Sequence, residues 1–230
     1  MAKRVGTVWL LLILTATAGP AQDKKNVSAK EILDRMVSVY ASCKSYLDKG
    51  RAKEVYPGAR GRVVMKPFTT AFVRPSHFRF EFSEDNERTS QQFVAWRDNK
   101  SIRSWWSIQR ETKYHEILDE PLRNATGISG SSAIVVPSML FQILGDEHRI
   151  QRMTDLSFGT EEKVNGRPAY RIQGRDWLKD SLTIWIDKET FLLVKLFERK
   201  RSRGPEVDLT ITYEPQINVD VPPGKLAFKH

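Results

Sequence analysis

The spacing of hydrophobic positions changes once near the start of the chain, after residue 43. Before that point, a capping box at Ser28-Ala29-Lys30-Glu31 precedes apolar residues at helical spacing, which predicts an amphipathic helix over 28–43. Beyond it, apolar and polar residues alternate with a period of two, the pattern of β-strands. The predicted strands cover residues 45–56, 62–73, 77–83, 91–97, 101–109 and 112–117.

The alternation stops over residues 118–150. Residues 118–134 carry turn-forming clusters and are predicted to be a loop, whereas Pro137 to Leu144 has the pattern of a short apolar helix with Gly145 just past its end. Further strands are predicted at 154–164, 168–174, 181–187, 191–200 and 206–214, with an Asn-Gly hairpin turn after the first. A helix, a run of strands, a helical insert and more strands indicate one α+β domain with a large antiparallel sheet.

One stretch within this pattern is unusually aromatic. Residues 72–82 read FVRPSHFRFEF, and strand alternation places four phenylalanines and an arginine on one face, namely Phe72, Arg74, Phe78, Phe80 and Phe82. Residues 191–197 are apolar on both faces. Such a surface is either the filled core of a sheet wrapped round its helices, or the wall of a lipid-sized pocket on a curved sheet. The residues alone leave both interpretations open.

The N-terminus has the layout of a secretory signal peptide. Lys3 and Arg4 precede an apolar run from Val8 to Leu14, which gives way to small residues ending at Ala21. We therefore expect residues 1–21 to be removed on export and residues 22–230 to form a single domain; an uncleaved anchor is the alternative. The net charge of +9 keeps the exported part basic after Lys3 and Arg4 are lost, which suits either an anionic membrane surface or an acidic partner, or serves solubility alone.

Residue patterns for catalysis or metal binding are not found in the sequence. The four histidines do not form a metal-ligand motif, Cys43 is the single cysteine and is predicted to be buried, and no nucleophile elbow or phosphate loop occurs. We expect no enzymatic activity, no metal and no cofactor, although a secreted hydrolase with catalytic residues dispersed along the chain stays an alternative.

A basic cluster follows strand 191–200 at a predicted hairpin tip. Its members are Arg199, Lys200, Arg201 and Arg203. A solvated turn would account for them, and so would a contact with lipid headgroups or an acidic partner.

With these features assembled, the sequence resembles the LolA-like family of periplasmic lipoprotein carriers. The resemblance spans residues 28–228 and depends on the order of its parts. These are the first helix leading into Ser45-Tyr46-Leu47, the stretch Arg74-Pro75-Ser76-His77-Phe78, the hairpin from Val94 to Lys100, the apolar helix from Pro137 to Leu144, and the closing element Val221-Pro222-Pro223-Gly224.

The resemblance implies a curved, unclosed antiparallel half-barrel with helices lying across its concave side. It further implies a monomeric carrier that holds the acyl chains of lipoproteins or other lipids, exchanging them with inner-membrane transporter and outer-membrane acceptor proteins. Arg74 would be the latch that fastens the helical lid. The acyl-contacting wall would comprise Phe72, Phe78, Phe80, Phe82, Trp96, Met139 and Leu140. The alternative is an envelope sensor of the same fold that detects lipoproteins and acts through a membrane protein partner.

Overall fold

The computed structural model describes residues 27–57, 61–85, 90–141, 150–201 and 206–228, so the predicted signal peptide lies outside the described residues. The helices are α1 (Ala29–Ser42), α2 (Asp119–Thr126), α3 (Ser132–Phe141) and α4 (Pro223–Leu226), with a 3-10 turn at Ile150–Arg152. The strands are β1 (Ser45–Tyr56), β2 (Arg62–Val73), β3 (His77–Asp85), β4 (Ser90–Arg97), β5 (Ile102–Trp106), β6 (Glu111–His115), β7 (Thr154–Phe158), β8 (Glu162–Val164), β9 (Arg167–Arg175), β10 (Ser181–Asp187), β11 (Leu193–Lys200), β12 (Val207–Tyr213) and β13 (Gln216–Ile217).

All thirteen strands belong to one antiparallel sheet that does not close. The strand order is β6-β5-β4-β3-β2-β1-β12-β11-β10-β9-β7, with β13 beside β1 and β8 beside β9. The ends of the sheet, β6 and β7, are therefore not joined. The first and last long strands of the chain, β1 and β12, pair at its centre. The predicted fold class, an unclosed antiparallel half-barrel with helices over one side, is confirmed.

Helix α1 begins where its sequence signal predicts. The Ser28 backbone N–H donates to Glu31 Oε2 at 2.7 Å, and the Glu31 N–H donates to Ser28 Oγ at 3.2 Å, so both halves of the capping box are formed. The buried side of the helix carries Ile32, Leu33, Met36 and Tyr40. The helix thus covers the sheet with the apolar side that its spacing predicted.

The prediction of a loop over 118–134 is wrong. This segment forms α2 and the first part of α3, and Pro137 lies inside α3 rather than in its first turn. Eight of the ten α3 residues are buried, so the burial of apolar side chains outweighs the backbone hydrogen bond that Pro137 cannot donate. The predicted end of this helix near Gly145 lies outside the described residues.

The two faces of the sheet are covered unequally. We call the face beneath α1, α2 and α3 the inner face; it carries the main core, which runs from Tyr46 on β1 to Ile184 on β10. The opposite, outer face carries a smaller buried cluster of Val164, Ala169, Trp185 and Val194. The apolar residues found on both faces of the later strands are accounted for by these two layers. Within the described residues, no helix is long and apolar enough to cross a membrane.

Candidate functional site

The four predicted phenylalanines lie together on the inner face. A turn at 74–76 separates β2 from β3, so they are contributed by two strands rather than one; Phe72 pairs with Phe78, and Phe82 pairs with Phe68. Phe72, Phe78, Phe80 and Phe82 are each 0% exposed. Antiparallel pairing keeps alternate residues of both strands on one side, and the result is a continuous aromatic wall.

Helix α3 lies directly on this wall. The Phe141 ring meets the rings of Phe72 and Phe78 edge-on, with centroids 5.0 and 5.2 Å away. Met139 and Leu140, also predicted as part of the wall, are buried in the same core and belong to the covering helix rather than the sheet. The aromatic surface is therefore covered by α3.

Trp96 is not part of this wall, and its predicted place there is wrong. It pairs with Arg79 across β3 and β4, whereas Phe80 pairs with Ala95, so Trp96 belongs to the outer face. Its ring lies 5.0 Å from that of Phe228, in the C-terminal segment that crosses the outer face. The side of the sheet on which a residue falls depends on the strand register, and the register moves Trp96 away from the phenylalanines.

Arg74 joins the sheet to both long covering helices. Its Nε donates to the carbonyl oxygen of Cys43, just past the end of α1, at 2.7 Å. Its Nη2 donates to the carbonyl oxygens of Tyr40 at 3.2 Å and of Ala41. The same nitrogen reaches the Leu140 carbonyl oxygen in α3 at 3.1 Å. Carbonyl groups at a helix C-terminus lack intrahelical partners and carry partial negative charge, so the guanidinium is a matched cap for α1.

Further contacts fasten α2 and the α2–α3 junction at the two flanks of the sheet. Lys200 Nζ donates to Ser131 Oγ at 3.0 Å. On the opposite flank, His115 Nδ1 of β6 lies 3.1 Å from Glu120 Oε2 of α2, although the pair is not aligned as a hydrogen bond. Together with Arg74, these contacts attach the helical cover at three separated places.

The His115 contact also brings a serine near the imidazole. Ser104 Oγ lies 2.8 Å from His115 Nε2, so serine, histidine and glutamate stand in the order of a hydrolase triad. Ser104 sits in the middle of β5, with β4 and β6 paired on either side, so the surrounding backbone N–H groups are committed to ladders and not free to hold an oxyanion. The arrangement works as a polar contact between sheet and lid.

A buried polar cluster lies beside the aromatic wall, and the sequence analysis missed it. Asp48 is 2% exposed and accepts hydrogen bonds from Tyr46 Oη at 2.7 Å and from the Thr70 backbone N–H at 2.8 Å. Burial raises the pKa of Asp48 to about 7, against the lowering effect of the Tyr46 hydroxyl and of the Thr70 backbone N–H and side chain. The hydroxyl of fully buried Tyr213 has no hydrogen-bond partner. Alternation with Tyr46 was the available signal, since it places Asp48 on the inner face.

The predicted basic cluster is divided between the two faces. Arg199 forms a bidentate pair with Asp208 at 2.6 and 2.7 Å, and Arg201 Nη2 lies 3.2 Å from Glu206 Oε1. Lys200 points to the inner face, where it contacts the lid. Arg203 lies outside the described residues. A membrane or partner contact at this tip therefore stays a prediction, with Arg199 and Arg201 as its outward-facing members.

Preformed space under the lid is small. A cavity of about 90 Å³ lies between α3 and the strands β10 and β11, and another of about 210 Å³ lies between α2 and the strands β5 and β6. Neither is lined by Phe72, Phe78, Phe80 or Phe82. In this structure the helices therefore cover the aromatic wall, and neither of these two cavities is lined by it.

Comparison with known proteins finds structural similarity only, since no family model and no curated protein matches the chain. The chain is similar to an outer membrane lipoprotein-sorting protein domain from Vibrio parahaemolyticus, at 10% identity and a TM-score of 0.40, over 86% of this chain and 95% of that one. It is similar to a chain of the Pseudomonas aeruginosa MucA/MucB complex, at 14% identity and a TM-score of 0.48, over 87% of this chain and 61% of that one. It is also similar to LprF from Mycobacterium bovis, at 9% identity and a TM-score of 0.48, over 84% and 94%.

Proposed function

We propose that this protein is a periplasmic carrier that shields the acyl chains of lipoproteins or other lipids. One observation supports the proposal above the others. Arg74 lies at the end of the aromatic wall, and its guanidinium donates hydrogen bonds to the backbone carbonyls of the two helices that cover the wall. A residue placed this way controls whether the wall is covered, which is the property that a reversible lipid carrier requires.

The lid-closed and lid-open states are close enough in free energy for a bound lipid to open the lid. Each methylene removed from water contributes about 0.8 kcal/mol, so a chain of a dozen or more methylenes offers roughly 10 kcal/mol before ordering costs. Hydrogen bonds to a charged group are worth about 1.5–3 kcal/mol each, and the lid also loses contacts such as those of Phe141 with Phe72 and Phe78. The free energy gained by burying the chain is close to the free energy lost on opening the lid, so the protein can both load and release a lipid.

The cellular setting follows from the same proposal. The leader-like residues 1–21 would export the chain to the periplasm, where an inner-membrane transporter would supply the lipid and an outer-membrane protein would accept it. The basic side chains Arg199 and Arg201 would favour transient contact with anionic surfaces during exchange. The protein would act as a monomer and catalyse no reaction.

The test is whether the folded protein takes up hydrocarbon through the lid. Purified protein should retain lipid detectable by native mass spectrometry, or bind a fluorescent acyl probe after delipidation, with a stoichiometry near one. A variant that holds the lid shut supplies the control: cysteines introduced at facing positions of α3 and the strands beneath it should block probe uptake when oxidised and restore it when reduced. Absence of lipid and of probe uptake in the reduced protein would refute the carrier function. Recovery of one envelope protein in stoichiometric amount, without lipid, would make the chain an interaction module.

A further inference from the structure

The polar cluster around Asp48 lies inside the proposed lipid-contacting wall. Asp48 pairs with Thr70 across β1 and β2, and Thr70 pairs with Phe80 across β2 and β3. These residues therefore form one row of the inner face, adjacent to the row that contains Phe72 and Phe78. Any chain that lies along the aromatic wall comes into contact with this row.

Asp48 is held by neutral donors alone. Its two recorded hydrogen bonds come from the Tyr46 hydroxyl and the Thr70 backbone N–H, one to each carboxylate oxygen. The Thr70 hydroxyl is a third neutral donor beside the carboxylate, since it also lowers the pKa of Asp48. An ionised carboxylate provides about four acceptor positions, so capacity remains for one more donor. A buried carboxylate in this setting attracts a hydrogen-bond donor and repels another anion.

Tyr213 supplies the complementary group. It stands on β12 opposite Gly50, two residues along β1 from Asp48 on the same face. Its hydroxyl is buried and unpartnered, a state that folded proteins rarely tolerate without a use. Its ring meets that of Phe68 edge-on at 5.5 Å, so the hydroxyl-bearing residue is itself part of the aromatic wall.

We infer that Asp48 and Tyr213 form a subsite for an alcohol group on the bound lipid. The inference rests on the proposed carrier function. A hydroxyl group both donates and accepts, so it can donate to Asp48 and accept from Tyr213 at once. A free fatty acid carboxylate would meet the Asp48 charge, and an ether or methyl ester would leave Asp48 without a new donor. Lipids that carry a hydroxyl beside their hydrocarbon, such as hydroxylated acyl chains, are the class that this wall selects.

Asp48 keeps acceptor capacity on either side of its titration. Burial raises the pKa of Asp48 to about 7, so near neutral pH the group exchanges between carboxylate and carboxyl forms. Both forms retain an oxygen that accepts a hydrogen bond, and the carboxylate is the stronger acceptor. The protonated carboxyl can also donate to an ether oxygen or to a fatty acid carboxylate, so the selectivity for an alcohol should be stronger above neutral pH than below it.

Competition against a fluorescent acyl probe measures the selectivity. The competitors are a long-chain alcohol, its methyl ether, and the fatty acid of equal chain length. For the unaltered protein we expect the alcohol to compete about tenfold better than the ether, the factor that one buried hydrogen bond supplies. The fatty acid should compete less well than the alcohol.

Two variants and one control assign the effect to the subsite. Asp48→Asn should bring the alcohol-to-ether ratio close to one while probe uptake continues, because the new amide N–H can donate to the ether oxygen. Tyr213→Phe should weaken the alcohol and the ether alike, because the Tyr213 hydroxyl donates to either oxygen. Tyr213→Phe removes a hydroxyl with no partner in the closed state, so its fold should be intact. Tyr56→Phe removes a tyrosine hydroxyl that binds Glu54 instead and should leave the ratio unchanged.

The outcomes distinguish failure of the alcohol subsite from failure of the proposed carrier function. A ratio near one in the unaltered protein, a ratio unaffected by Asp48→Asn, or unchanged competition by both ligands in Tyr213→Phe overturns the alcohol subsite while the carrier function stands. If the unaltered protein takes up no probe under any condition, the carrier function and the subsite are overturned together.

Discussion

Replacing Arg74 by leucine should weaken the fold and strengthen lipid binding at the same time. The leucine cannot donate to the carbonyl oxygens of Tyr40, Cys43 and Leu140, so the attachment of α1 and α3 to the sheet is lost. Arg74 is itself exposed and the freed carbonyls at the α1 terminus can bind water, so losing these hydrogen bonds costs about 2 kcal/mol. The free energy of unfolding should fall by roughly that amount.

In the proposed carrier, the same loss should raise the population of the open state. When the binding-competent state is a minor one, the apparent dissociation constant equals the intrinsic constant divided by the open fraction. Destabilising the closed state by about 2 kcal/mol should therefore tighten lipid binding by about thirtyfold and slow release correspondingly. Loading should continue, because the aromatic wall itself is unchanged.

The measurements are urea unfolding of the empty protein, and equilibrium titration and dissociation of a fluorescent acyl probe. Arg79→Leu is a matched control: Arg79 Nη1 donates to the Ala227 carbonyl oxygen at 2.9 Å, but on the outer face, away from the lid. It should cost stability without changing lipid affinity. Equal or weaker lipid binding in Arg74→Leu, or an equal gain in Arg79→Leu, would refute the latch.

Three further predictions concern the inner face. Asp48→Asn should remove a pH dependence of the free energy of unfolding. Burial raises the pKa of Asp48 from 3.8 to about 7, so between these pH values the folded state binds a proton that the unfolded chain has released. In the unaltered protein, the free energy of unfolding should therefore fall as pH rises from about 4 to about 7, by at most on the order of 4 kcal/mol. Urea unfolding at several pH values checks this, and parallel curves for both proteins would contradict it. Tyr213→Phe should leave stability equal or raise it by about 1 kcal/mol, because a buried hydroxyl without a partner is removed; a large loss in thermal unfolding would show a missed partner. Gly50→Ala should lower stability by about 1–3 kcal/mol, because the added Cβ would lie 2.1 Å from Phe68 Cζ, and an unchanged melting temperature would mean that the ring moves freely.

Periodicity was sufficient to predict the elements whose burial is one-sided. The limits of β1 and β2, and the start of α1, follow from alternation and a capping box, because a sheet or helix with one buried face must repeat its apolar residues at the period of its backbone. Helix α3 carries no such signal. It is buried on nearly all sides, so its sequence shows no preferred apolar face. Pro137 inside it also has the pattern of a helix boundary.

The face on which each site residue lies could be predicted only where the strand register could be predicted. Phe78 and Phe80 could be placed with Phe72 because a short turn joins β2 to β3. The side occupied by Trp96 depends on the connection between β3 and β4, and a change of one residue there would reverse every side chain of β4. The capacity of Arg74 to reach both covering helices depends on contacts distant in sequence, which no local pattern encodes.

If the proposed carrier function holds, the covering of the wall also constrains how a lipid would leave. In this structure the aromatic wall is covered by the protein's own helices, and the Arg74 guanidinium donates to their carbonyl oxygens. A lipid-bound carrier would have lost those contacts, and every contact regained on closing would favour release. An acceptor therefore need not bind the hydrocarbon more tightly than the open carrier does. It has only to bind the lipid as the lid closes, because the free energy released when Arg74 and the helices return to the sheet favours transfer to the acceptor.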